Sequence, residues 1–146
     1  MNTLLPNYEH WKAINSPSFN LYDYIHGIFL KNEASPDLGF AFLKLIWPDF
    51  IEVSGFVFLK ENYRGDKIDA LKETVRSDDE LEFWINLTSL ESIFPESYEQ
   101  LARLITDELV AAWQCKLKSD FPDKTFFVRC IEDDGEKHIT FSQKGN

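Results

Sequence analysis

Residues 125–143 read TFFVRCIEDDGEKHITFSQ, and the reading of this stretch decides the fold. Its centre, Asp134-Gly135, suits a two-residue type I′ turn, in which both central residues take positive φ and the twist matches the flanking strands. A turn there leaves the register no freedom: Cys130 faces Ile139, Val128 faces Phe141, and Glu132 faces Lys137 at the rim. Side chains alternate along a strand, so the other face collects Phe127, Arg129, Ile131, His138, Thr140 and Ser142. That set is half polar, so one face is expected in the core and the other at most partly covered.

Working outward, Phe50 to Lys60 reads FIEVSGFVFLK, with Ser54-Gly55 as the turn of a second hairpin and one strand bent at the glycine as the rival. The longest helix is expected from Pro95 to about Leu117, where Leu101, Ile105, Leu109, Ala112 and Trp113 form a stripe. Glu96 and Glu99 in its first turn and Lys116 and Lys118 at its end suit the helix dipole. Asp66 is expected to cap a helix with Ile68, Leu71 and Val75 on one face, and Asp78 another with Leu81, Trp84 and Ile85 inward. Thr88-Ser89-Leu90-Glu91 has the form of a capping box before a short turn toward Phe94.

Near the N-terminus, Ser16-Pro17 and Ser35-Pro36 each set a capping residue before a proline at the first helical position. The first predicts a helix over Phe19 to Leu30, with Phe19, Tyr22, His26 and Phe29 on one face. The second predicts a helix from Pro36 to Trp47, stopped by Pro48, and so apolar all round that it is expected to be central. The fold class is therefore α+β: one domain over residues 1–146, with an antiparallel sheet built mainly from hairpins at about 50–60 and 125–143. Several helices pack on that sheet, the longest at about 95–117.

The chain has 146 residues, 44% hydrophobic, with 22 aromatic side chains, which suits a folded soluble domain and excludes disorder over most of it. Its 15 basic and 25 acidic residues leave a net charge of −10. Such a chain repels a phosphate backbone and anionic lipid, so neither nucleic acid nor membrane is an expected partner. Cys115 and Cys130 form no CxxC pair and read as small buried residues of a reduced cytoplasmic protein. The opening MNTLLP lacks the basic flank and apolar run of a secretory signal, and no uncharged run approaches the ~18 residues of a membrane span.

Chemical motifs are sparse. The glycines are not spaced as GxGxxG or GxxxxGK[ST], and Glu52 stands where a GxSxG elbow around Ser54 needs its first glycine. His10, His26 and His138 lie far apart, without metal-ligand spacing. No catalytic residue, cofactor or metal is assigned. Asn86-Leu87-Thr88 matches a glycosylation acceptor but falls in a predicted helix, and is read as chance.

Charge distribution is the informative feature. Residues 77–108 hold nine acids, Asp78, Asp79, Glu80, Glu82, Glu91, Glu96, Glu99, Asp107 and Glu108, against one base, Arg103. Acids at helix N-termini stabilise by ~0.3–1 kcal/mol each, which explains part of the cluster but not the scarcity of bases. Asp78, Asp79, Glu80, Glu82, Trp84, Glu91, Glu96, Tyr98 and Glu99 form the expected surface for a basic protein, charge supplying on-rate and aromatics supplying anchors. The expected function is a non-catalytic interaction module, of the kind of the bacterial immunity proteins that neutralise basic, nuclease-like toxins. One alternative is a small-molecule-binding domain or enzyme, its pocket lined by Phe19, Tyr22, Phe40 and Trp47 around His26. Another is a regulatory or assembly subunit of a larger complex. The acidic surface requires helices 79–87 and 96–117 to face the same side.

Overall fold

Both hairpins turn at the dipeptides that favour positive φ. In the computed structural model, which describes residues 5–74 and 78–143 and at 78 and 79 the backbone only, Ser54 and Gly55 have φ of 53° and 85°. They join β1 (Phe50–Val53) to β2 (Phe56–Leu59), so a turn and not a bent strand forms. Asp134 and Gly135 have φ of 51° and 79° and join β4 (Phe127–Asp133) to β5 (Glu136–Ser142). The pairs Cys130 with Ile139, Val128 with Phe141 and Glu132 with Lys137 form as the turn dictates. The chain is α+β and divides into two compact units, Met1–Phe42 and Leu43–Asn146.

The hairpins do not merge into one sheet as expected. β1 and β2 form a two-stranded sheet, and the other has the order β3-β5-β4, with β3 the short Thr88–Ser89. Side chains of α5 (Asp78–Asn86) link them, because Glu82 and Asn86 are one helical turn apart and share a face. Glu82 accepts from Val57 N at 2.8 Å and from Gln143 N at 3.0 Å. The Asn86 amide accepts from Leu59 N at 2.9 Å and donates to Val57 O at 3.1 Å and Phe141 O at 3.3 Å. Backbone groups that a neighbouring strand would otherwise satisfy are thus met by two side chains. Gln143 Nε2 adds bonds to Gly55 O at 2.9 Å and Glu82 at 2.7 Å, tying in the first turn.

Alternation sorts the strand residues of this second unit into two layers. Phe50, Val57, Leu59, Ile139 and Phe141 pack with Leu90 of α6 (Leu90–Ile93) and with Leu109, Trp113 and Leu117 of α7 (Glu99–Asp120). Ile51, Phe56 and Phe58 turn the other way, toward Ile68 of α4 (Gly65–Lys72) and Leu81 and Ile85 of α5. Helices α6 and α7 therefore lie on one side of the strands, and α4 and α5 on the other. The half-polar face of the second hairpin is consequently covered along β5, where Thr140 and Ser142 are buried and Thr140 Oγ1 donates to Phe83 O at 2.7 Å.

Several local readings shift. The buried stripe of α7 is Ala102, Thr106, Leu109, Trp113 and Leu117, while Leu101 and Ile105 pack at its margin. A 3-10 turn over Glu96–Tyr98 precedes that helix. Ser89, not Thr88, caps α6, accepting from Ser92 N at 3.2 Å, and Glu91 turns to β5 instead of closing a box. Val75 lies outside the described residues.

The first unit begins with a helix that the sequence reading omits, α1 (Pro6–Ile14). Ser16-Pro17 closes a turn, not a helix, with Ser16 Oγ accepting from Ser18 N at 3.1 Å. Helix α2 (Leu21–Leu30) is started by Asn20, whose side chain accepts from Tyr22 N and Asp23 N while Asp23 accepts from Asn20 N. Ser35 caps α3 (Pro36–Ile46) as expected, accepting from Leu38 N at 3.2 Å. No residue of α3 is buried, and Leu38, Phe40 and Phe42 are exposed, which corrects the expectation of a central helix. Hydropathy alone does not distinguish a central helix from one at the margin.

An aromatic cluster holds α1 to α2. Trp11 meets Tyr24 edge to face at 5.1 Å, Tyr8 stacks with Phe19 at 6.1 Å, and Lys31 Nζ sits 4.3 Å from the centroid of the Trp11 ring. Gly27 is where the Trp11 ring lies closest to the backbone of α2, since a Cβ there would overlap Trp11 Cζ3. Gly27→Ala is therefore expected to destabilise the chain by about 1–2 kcal/mol, the overpacking cost exceeding the ~1 kcal/mol gained in helix propensity. Urea denaturation checks this, and a net gain in stability would contradict the close approach.

Candidate functional site

The nine residues expected to meet a partner occupy different environments. Glu82 is 2% exposed and serves as the clamp between hairpins, so it is removed from the expected surface. Three N–H donors, from β2 and from Gln143 just past β5, make a buried carboxylate acceptable there. Glu91 is also engaged, both carboxylate oxygens accepting from Lys137 N at 2.9 Å. Glu80 is half-buried, and the side chains of Asp78 and Asp79 lie outside the described residues. Trp84, expected inward, is 48% exposed and lies edge-on to Phe83. Glu96, Tyr98 and Glu99 are exposed, with Glu99 paired to Arg103.

Because α5 and α7 lie on opposite sides of the strands, their acids do not form one surface, and the single patch expected from residues 77–108 divides. On the α7 side, Glu96, Glu99, Asp107 and Glu108 are exposed. The tip of the second hairpin adds Glu132, Asp133, Asp134 and Glu136, all exposed and all missed by the charge count. Residues 109–146 balance at six acids and six bases, which hid four acids in the five residues 132–136. A shorter counting window carries that signal.

Cys130 lies between these groups. It and Cys115 are exposed, correcting the expectation of buried thiols. Partial burial of its thiol pushes the Cys130 pKa above the ordinary value of 9.0, and the charges of Asp107, Glu132 and Glu91 push it further against the opposing pull of Lys137. Since the thiolate is the reactive form, alkylation of Cys130 should be slow at neutral pH and reach half its maximal rate only above pH 9.0. Iodoacetamide labelling of a Cys115→Ser chain against pH, read by mass spectrometry, checks this; a midpoint below 9.0 would contradict it.

No family model matches the chain, and no curated protein or solved structure matches it.

The residues expected to line a pocket around His26 divide between the two units. His26, Tyr22 and Phe40 are exposed, Phe19 packs on Tyr8 and Trp11, and Trp47 belongs to the second unit, its ring 6.0 Å from Lys116 Nζ. An open cleft of about 260 Å³ lies elsewhere, between the first hairpin and α4, with Phe58, Tyr63 and Ile68 as its floor and Asp69 and Lys72 beside them. It is smaller than the ~300–1,000 Å³ of ordinary ligand pockets. Among the described residues no group of three or more His, Cys, Asp or Glu is arranged to hold a metal ion, and no helix is long and apolar enough to cross a membrane.

Proposed function

We propose that this protein is a non-catalytic module that binds a basic protein partner through the acidic face of α7 and the tip of the second hairpin. Its biological form is an immunity-type inhibitor that engages and neutralises a basic, nuclease-like toxin in the bacterial cytoplasm. The supporting observation is the exposure of Glu96, Glu99, Asp107, Glu108, Glu132 and Asp133 on elements that pack against one another, with Arg103 as the base paired among them. A one-signed surface of this kind raises the association rate of an oppositely charged partner and repels nucleic acid, the substrate of such a toxin. Tyr98, 56% exposed beside Glu96 and Glu99, is the aromatic group suited to an anchoring role.

The test is capture of partners from the source cell at two ionic strengths. One basic protein should be retained at about 0.1 M, where the screening length is ~10 Å, and released near 1 M, where it is ~3 Å. A chain carrying Glu96→Lys, Glu99→Lys and Asp107→Lys should lose it, while Asp78→Lys with Asp79→Lys should retain it. Capture indifferent to salt and to the first variant would overturn the proposal.

A further inference from the structure

We propose that the outer edge of β4, from Val128 to Glu132, receives an extended basic segment of the partner as an added strand. This rests on the reading of a basic partner given above and names how that partner is held.

Among the described residues β4 has β5 on one side and no strand on the other. Val128 N points to the open side, because it donates to Gln114 Oε1 at 3.4 Å, and Gln114 Nε2 in turn donates to Phe126 O at 3.1 Å. In an antiparallel ladder every second residue directs its backbone groups outward, so Cys130 and Glu132 point the same way as Val128. β5 agrees: Lys137 N and Phe141 O, on the residues opposite Glu132 and Val128, point to its far side, toward Glu91 and Asn86. Gln114 covers the start of the edge. Beyond it, the backbone N–H and C=O groups of Cys130 and Glu132 meet no partner among the described residues.

An open edge of this kind is a template for another strand, and proteins commonly guard it with lysine, proline or a bulge. Val128 to Glu132 contains neither lysine nor proline. Arg129 on the strand and Lys137 on β5 are the bases nearby, and acids outnumber them: Glu132 and Asp133 on the strand, Asp134 and Glu136 at the turn, and Asp107 near Cys130. These acids favour a basic strand. Side chains of the added strand would alternate between the α7 side, beside Glu132 and Asp107, and the other side, beside Ile131, the exposed Phe127 and Arg129, whose guanidinium lies over the Phe83 ring. The matching sequence alternates basic and apolar residues.

The probe is the blocked peptide Lys-Val-Lys-Val-Lys-Val-Lys, with two controls N-methylated on either all lysines or all valines, titrated into the full chain by fluorescence anisotropy. Methylation of one set should weaken binding about tenfold or more, the loss of two or so backbone hydrogen bonds, while the other set binds as the parent does. Amide exchange at Cys130 and Glu132 should slow on binding. Equal affinity for all three peptides without that protection overturns the edge site and leaves the basic partner standing. No binding by any peptide, beside salt-sensitive capture of a basic protein, likewise overturns the edge alone; failure of both experiments removes both readings. A chain that dimerises with Cys130 and Glu132 already protected would show the edge taken by a second copy and overturn the proposal. Cys130→Pro deletes one outward N–H without touching the β4–β5 ladder, and should weaken the parent peptide several-fold.

Discussion

Replacing Glu82 by alanine is expected to lower the stability of the chain by about 3 kcal/mol or more, since each buried N–H left without an acceptor costs ~1–3 kcal/mol. The carboxylate receives Val57 N, Gln143 N and Gln143 Nε2 and is 2% exposed. Glu82→Gln should recover part of the loss, because one carbonyl oxygen survives while the new amide meets donors with a donor. Had Glu82 been a solvated member of a charged patch, the change would fall within about 0.5 kcal/mol. Urea denaturation of both variants decides between these outcomes. Asn86→Ala should cost a similar amount, and the double variant less than the sum, because both side chains hold the same pair of strands at Val57.

Trp113→Ala should cost about 3–5 kcal/mol, the range for removing a large aromatic side chain from a packed core. The indole is 1% exposed, meets Phe141 edge to face at 6.2 Å, and donates from Nε1 to Leu45 O at 2.8 Å. That carbonyl belongs to the last turn of α3, where no residue further along the helix supplies a donor. Trp113→Phe separates the two contributions: it preserves much of the volume and removes the bond, and should cost about 1–3 kcal/mol. Trp84→Ala is the contrasting case, an exposed indole whose loss should change stability by less than about 1 kcal/mol. Equal costs at the two positions would contradict the burial assigned to each.

These contrasts mark how far the sequence was readable. Trp84 and Trp113 each sit one residue from an apolar neighbour in a helix, and periodicity assigned both inward. Only Trp113 is buried, because α7 meets the strands along its middle while the tryptophan side of α5 turns past them. The caps show the same limit: Ser35-Pro36 starts a helix, whereas Ser16-Pro17 closes a turn and Asn20 starts the next helix with Asp23. Two equally good local signals were separated by what followed them in the chain. The acidic hairpin tip was missed for a different reason, a counting window wide enough to average it against distant lysines.

By itself the sequence determined the second hairpin, its turn and the full register of β4 against β5, because Asp134-Gly135 acts over two residues and alternation propagates its effect along each strand, whereas at Ser54-Gly55 a bent strand stayed open as the rival to the hairpin that forms. It also determined the net charge and the length of the longest helix to within a few residues. Tertiary structure alone decided what the acids do. Glu82 meets donors 25 and 61 residues away, and no local rule reports on groups at that separation. The same packing carries α5 and α7 to opposite sides of the strands and leaves the edge of β4 open among carboxylates. Periodicity states which way a side chain points on its own element, and only the arrangement of elements states what stands there to receive it.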